Sequence, residues 1–412
     1  MRRLSIALAA ALLAAAGCST SPDPVLIGAV YPTGGSQGAG GIQELRGVRL
    51  AARLANSRGG LDGRPFQLVE SPAGAAEAAP GAVESVVSRG ASVVLGSYGS
   101  TISAPAAETS AGLDAVFWET GAVGEIDEDA RPGERFFRVV SPGTSLGVAA
   151  VGFVEDTLLP KMEVPDDLRY AVVYVDDAYG RTIGHGALAE IGRRGLGEAL
   201  DMPYRLDDVD FDAVARRLLR ARTDVLVVAA YLEDGIEMRR AVLRAGVPLV
   251  ASIGTSSSYC MHAFGVALGE DAVGLFASDK PDGETLDPAA LSPEAGDALR
   301  WATETYEREN DHAMTAAALS GFASAWALFT QVLPRAASLA PDDVAEAATT
   351  VRVPEGGLPN GSGLQLLPPG GPAAGTNARA TSVIWEWVEL ETRAIVWPPE
   401  LASSPVLVHD IS

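Results

Sequence analysis

Two short stretches carry letters that catalysis uses. Gly34-Gly35-Ser36-Gln37-Gly38 fits the G-x-S-x-G pattern of a serine nucleophile raised on a strand-to-helix turn. That chemistry needs an acid and then a histidine further along, and His185, His262, His312 and His409 stand in no setting that suits the role. Gly184-His185-Gly186-Ala187-Leu188-Ala189 fits a dinucleotide fingerprint, but its first glycine falls nine residues after Val175 instead of directly after the strand. Small packing residues inside a helix explain it better. The chain therefore reads as no enzyme and as needing no cofactor.

Polar turns carry a different chemistry. Ser100 and Thr101 offer hydroxyls, and the helix after them offers free N–H groups and the positive end of its dipole, which suits a carboxylate. The same two residues would also serve as plain helix caps. Tyr179 is an aromatic with a hydroxyl, and Asp234 is a carboxylate just before a helix, where it too could be a cap. A zwitterion clamped between these turns would satisfy all of them at once.

Strands and helices must hold those turns. Val25 to Glu70 runs as an apolar strand, a glycine-rich turn, a helix and a second strand, a complete βαβ unit. Its helix sets Ile42, Leu45, Val48, Ala52 and Ala55 at three- and four-residue spacing, leaving Glu44, Arg46, Arg49 and Arg53 to water. Gly59-Gly60 ends it, because glycine takes the left-handed turn cheaply. Strands follow at Ser92–Leu95 and Ala115–Trp118, and a second series runs through Tyr170–Val175, Asp224–Ala230 and Leu249–Ile253. The turns Gly96 to Thr101, Glu119 to Ala122, Asp176 to Gly180 and Tyr231 to Asp234 all sit where strands hand over to helices, at the carboxyl ends where ligands of parallel sheets collect. Beyond Ala272–Ser278, long helices at Pro293–Asn310 and Ala316–Ala337 and a terminal hairpin (Val383–Leu390, Ala394–Trp397) complete the chain.

Length and composition bound the rest. With 412 residues, 47% hydrophobic and 20% charged, the chain needs two domains. Residues 1–17, with Arg2, Arg3 and the apolar run Leu4 to Ala16, describe an export signal. Losing its two arginines takes the formal charge from −22 to −24, a field that repels nucleic acid and anionic lipid. Two cysteines and four scattered histidines do not suit a structural zinc site.

Ala15-Ala16-Gly17-Cys18 resembles a bacterial lipoprotein signal, with alanine at the position three before the cysteine where that pattern prefers leucine. The resemblance implies lipid on Cys18 and a tether through residues 18–24. The alternative is an unmodified cysteine.

The mature chain resembles the type I periplasmic binding proteins of the branched-chain amino-acid (Leu/Ile/Val) kind, which serve ABC importers. The resemblance runs through Pro32-Thr33-Gly34, Gly47, Asn56, Gly59-Gly60 and Gly63-Arg64-Pro65, then Val94-Leu95-Gly96 with Ser100, Phe137-Arg138, Tyr174-Val175-Asp176 with Tyr179-Gly180, and Tyr231 to Gly246. It implies an α/β fold of two Rossmann-like lobes with parallel central sheets joined by a three-strand hinge. Lobe 1 is expected from residues 25–140 with 275–350, and lobe 2 from 141–274 with 351–412. By the same resemblance Ser100 holds a ligand carboxylate, Thr120 or Gly121 completes that site, Tyr179 is the cleft aromatic and Asp234 takes an amino group.

Trp118-Glu119-Thr120-Gly121 departs from the family's serine, proline and alanine run, and Gly38 stands near its common aromatic. Glu119 is expected to bring a second carboxylate toward the cleft, suiting an amine, amide or guanidinium group. Tyr98 and Trp118 could stack on something flat or box a cation, or pack in the core. The expected function is an extracytoplasmic, membrane-anchored monomer that captures an amino acid or amide for an ABC permease. A sensory receptor module of the same fold is the alternative.

Overall fold

The computed structural model describes residues 22–411 except 36, 127–134, 166 and 372. The export signal, Cys18 and the motif serine Ser36 lie outside the described residues.

Along the chain come β1 (Val25–Tyr31), α1 (Gly38–Ser57), β2 (Phe66–Pro72), α2 (Ala79–Ser88), β3 (Val93–Gly96), α3 (Ser100–Gly112), β4 (Val116–Glu119) and β5 (Phe136–Arg138). These strands form one parallel sheet in the order β2-β1-β3-β4-β5. Because successive strand residues face opposite sides, Val30, Val94 and Phe117 pack with α2 and α3 while Tyr31, Leu95 and Trp118 pack with α1. A sheet buried on both faces reads in sequence as the unbroken apolar runs noted above.

The second half contributes α4 (Gly143–Phe153), β6 (Tyr170–Val175), α5 (Ala178–Arg194), β7 (Leu200–Tyr204), α6 (Phe211–Ala221), β8 (Val225–Ala229), α7 (Leu232–Ala245), β9 (Ala251–Thr255), α8 (His262–Leu268) and β10 (Phe276–Asp279). Then follow α9 (Pro293–Asn310), α10 (Ala316–Ala327), α11 (Pro341–Thr350), β11 (Val383–Glu389) and β12 (Thr392–Trp397). The second sheet has the order β12-β11-β10-β9-β8-β6-β7, parallel apart from β11 and β12. The chain passes between the sheets three times: from β5 into α4, from β10 into α9 and α10, and from α11 to β11.

Three details differ from the expectations. Strand β10 pairs with β9 and β11, so residues 276–279 belong to the second sheet and the return to the first lies just beyond Asp279. Residues 375–377 bond along β5, with Arg138 N–H donating to Gly375 O and Asn377 N–H donating to Arg138 O, both at 2.9 Å, so part of the tail extends the first sheet's edge. Glu44, expected in water, is fully buried. The reason is α10, which packs along α1 on the side away from the sheet and covers a second stripe of that helix.

The approach of α10 is close enough to require glycine. A Cβ on Gly47 would stand 1.9 Å from the Ala318 carbonyl oxygen, and one on Gly321 would stand 2.2 Å from the Glu44 oxygen. The Gly184 to Ala189 motif lies wholly inside α5, where a Cβ on Gly186 would meet the Thr144 carbonyl of α4 at 2.5 Å. Its glycines bring two helices together. Gly47→Ala should therefore lower stability by about 2 kcal/mol through overpacking, read as a lower midpoint in urea unfolding. An unchanged midpoint would contradict the packing described here.

Candidate functional site

A cavity of about 380 Å³ opens between the two sheets, walled by the carboxyl ends of strands from both. From the first lobe come Tyr98 and Ser100 after β3, Gly121 and Val123 after β4, and Met314 to Ala317 at the start of α10. Facing them are Tyr179 at the start of α5, Ser256, Ser257 and Cys260 to Ala263 after β9, and Asp279 and Lys280 at the end of β10. One part of the wall is polar, and Val123, Met261, Met314, Ala316 and Ala317 make an apolar part.

Ser100 is the first residue of α3, and Gly99 occupies the cap position with no side chain to bond the helix amides. The opening amides of this helix are thus free of a side-chain cap. Ser100 Oγ accepts the Gly124 amide at 3.0 Å, which leaves its own proton for an acceptor in the cavity. Tyr98 comes close because α1 carries glycine there, a Cβ on Gly40 standing 2.2 Å from the Tyr98 ring.

Across the cavity, Asp177 caps α5 by accepting the Tyr179 and Gly180 amides at 2.9 and 3.0 Å. Tyr179 is buried and stacks on Tyr231 with ring centroids 5.2 Å apart. Its hydroxyl pairs with Thr255 Oγ1 at 3.0 Å and accepts the Ser257 amide at 3.1 Å. The ring therefore lines the cavity while the hydroxyl organises the turn after β9. Gln37 Nε2 donates to Thr101 Oγ1 and to the Tyr231 hydroxyl, both at 3.4 Å, and so ties the lobes together beside the cavity.

Of the residues singled out from sequence, Tyr98, Ser100, Gly121 and Tyr179 meet at this cavity. Thr101 stands beside it, held by Gln37. Trp118 does not reach it: the indole is fully buried, packs near Phe137 and donates to the Ser324 carbonyl at 2.9 Å. Thr120 is buried too, donating to Glu44 Oε1 at 2.6 Å and paired with the Tyr31 hydroxyl at 2.7 Å. Glu119 turns inward, where Ser103 donates to it and the amides of Thr120, Gly121 and Ala122 donate at 3.0, 3.2 and 3.0 Å. Asp234, third residue of α7, accepts the Tyr204 hydroxyl and is not on the cavity wall.

Sequence reasoning passed over the end of β10 as a site. Asp279-Lys280 is a charged pair directly after a buried apolar strand, and Lys280 is one of two lysines in the chain, which was the signal available. Lys280 Nζ donates to the Gly121 carbonyl at 2.9 Å, a second link between lobes.

Two buried carboxylates sit behind this wall. Burial pushes the Glu44 carboxyl up to about 8, opposed by the Lys280 charge, and pushes Glu119 up to about 7, opposed by Arg138 and the Ser103 bond. Unfolded, Glu44 titrates near 4.5, so between 4.5 and about 8 the folded chain keeps a proton that the unfolded chain has lost. Stability from this group is complete below 4.5 and is lost as pH rises through about 8. The melting temperature of the native protein should thus fall relative to Glu44→Gln between about pH 5 and pH 8, and parallel curves would contradict the burial of a titrating group there.

The fold is that of a two-lobed α/β protein with a cavity at the crossover between its sheets. The chain belongs to the periplasmic binding protein family, whose model matches residues 24–373. It is 25% identical over 393 residues to the Leu/Ile/Val-binding protein homolog 8 of Brucella suis, covering 93% of this chain and 94% of that protein. Among solved structures it is similar to a leucine-binding protein of Thermotoga maritima, with TM-score 0.73 and 16% identity over 90% of this chain and 97% of the other. It is also similar to the branched-chain amino acid transporter substrate-binding protein of Streptococcus pneumoniae in complex with isoleucine, with TM-score 0.69 and 16% identity over 91% of this chain and all of that one.

Proposed function

We propose that this protein captures a single free amino acid between its lobes and presents it to an ABC importer, acting as a monomer and performing no chemistry of its own. One observation carries the reading: the cavity joins anion-accepting groups to an apolar wall within one cleft between the sheets. At the polar end, the Ser100 hydroxyl and the uncapped amides of α3 suit a carboxylate. At the other, Met261, Met314, Ala316 and Ala317 suit an apolar side chain, and methionine adapts to its shape. The leucine and isoleucine named for the similar proteins have this combination of a charged head and an apolar tail.

Capture works by differential affinity. Neither lobe alone surrounds the ligand, so only the closed arrangement makes all the contacts, and the ligand shifts the equilibrium toward it. A desolvated carboxylate left without donors costs more than an exposed contact returns, which makes the polar end selective. We also propose that residues 1–17 direct export and that lipid on Cys18 anchors the protein at the outer face of the cell membrane.

A thermal-shift screen of the mature chain against the twenty L-amino acids should find at least one that raises the melting temperature, because a ligand that binds the folded state stabilises it by mass action. Ser100→Ala should weaken that amino acid about tenfold by calorimetry, since one hydrogen bond to a charged group is lost, and should also lower the unliganded melting temperature, because the buried Gly124 amide loses its acceptor. A screen without any shift would reject amino-acid capture. Separately, Cys18→Ser should move the protein from the membrane fraction to the soluble extracytoplasmic fraction, and retention on membranes after mild washing would contradict the anchor.

A further inference from the structure

The carboxylate first expected to meet the ligand's amine, Asp234, is engaged by Tyr204 and stands off the wall. Asp177 is likewise occupied, by two amides of α5 and by the Tyr231 hydroxyl at 2.7 Å. Among the described residues, two carboxylates line the cavity, Asp279 and Glu284. They differ sharply. The Glu284 side chain is 53% exposed and accepts from Arg393 Nη2 at 3.2 Å.

Asp279 is 1% exposed, and its Oδ1 has no hydrogen-bond partner among the described residues. Lys280 Nζ stands 4.0 Å from that oxygen, beyond hydrogen-bond range, and is directed to the Gly121 carbonyl instead. The Cys260 thiol and the Lys280 amide approach the carboxylate as well, yet burial still pushes its pKa up. A buried acceptor without a donor is destabilising, and a donor supplied from the cavity would remove that cost.

We propose that Asp279 is the ammonium acceptor of the site, so that the ligand is an amino acid with a free α-amino group, held at the end of β10 and not at α7. This rests on the amino-acid reading above and adds the residue that selects the amine. The placement has a mechanical consequence. Asp279 is the last residue of β10, immediately before the chain crosses back toward α9 and α10, and Lys280 beside it already contacts the turn after β4. An ammonium bound there joins the hinge to the contents of the cavity.

The test uses the full mature protein, with the twenty L-amino acids as probes and, for the one giving the largest melting shift, its des-amino carboxylic acid. Asp279→Asn keeps the shape and removes the charge. It should weaken the amino acid about tenfold to a hundredfold by calorimetry and leave the des-amino acid unchanged, as expected for losing a charge-assisted bond. Asp279→Ser provides the same comparison with a smaller side chain if the asparagine form is too unstable to titrate. Asp234→Asn should leave amino-acid affinity within about twofold. If amino acids bind and Asp279→Asn binds them as tightly as the native protein, the assignment of Asp279 falls while amino-acid capture stands. If the native protein binds none of the twenty, amino-acid capture falls and this assignment with it.

Discussion

The Glu119 carboxylate, closed over by three consecutive amides, is the contact on which the site depends. A strand end normally leaves its next few N–H groups to water or to a following helix. Here Gly121 donates to one buried carboxylate, and Thr120 and Ala122 share their N–H groups between it and the Gly96 and Ser97 carbonyls at 2.8 and 2.9 Å, so the chain after β4 is fixed in a tight curl. That curl aims the Gly121 carbonyl at Lys280 and the Gly124 amide at Ser100, and Arg138 Nη2 holds the Gly124 carbonyl at 2.6 Å from behind. Desolvation opposes keeping the carboxylate charged, and the amides with Ser103 and Arg138 work against that penalty. The turn is therefore stiff before any ligand arrives.

Stiffness on the first lobe gives the second something to close against. Among the described residues, polar links between the lobes beside the cavity include Gln37 to Tyr231, Lys280 to Gly121, and the Glu125 amide to Thr182 Oγ1 at 2.8 Å. Polar bonds of this kind contribute little net free energy when water can replace them, so a ligand that brings its own contacts can decide the balance between open and closed forms. The apolar wall draws on both sides, Val123 and Met314 from one and Met261 from the other. Burying a hydrophobic tail therefore also favours closure.

Much of this architecture was legible in the residues. Apolar runs such as Val25 to Tyr31 and Tyr170 to Val175 are continuous because each strand is covered on both faces, and that pattern survives any uncertainty in helix ends. Ser100 and Tyr179 were legible for a related reason: each opens a helix that follows a parallel strand, where the turn meets the carboxyl edge of the sheet. What the sequence hides is the direction in which a side chain leaves such a turn. Trp118 and Glu119 close β4 just before the expected turn, yet both point back into the first lobe, where α3 supplies Ser103 and α10 supplies the Ser324 carbonyl. Glu44 was assigned to water because a single helical stripe accounts for one neighbour, and α1 has two. Asp234 keeps its place at a helix start, but Tyr204, thirty residues away in sequence, takes its carboxylate. Each of these depends on a partner distant in the chain, and no local pattern announces it.

A crystal structure of the mature protein with the amino acid that stabilises it most addresses the central claim directly. The account predicts one ligand molecule in the cavity between the sheets, its carboxylate at Ser100 and the first amides of α3 and its side chain toward Met261 and Met314. Density for the ligand on one lobe alone, or outside this cavity altogether, would contradict it.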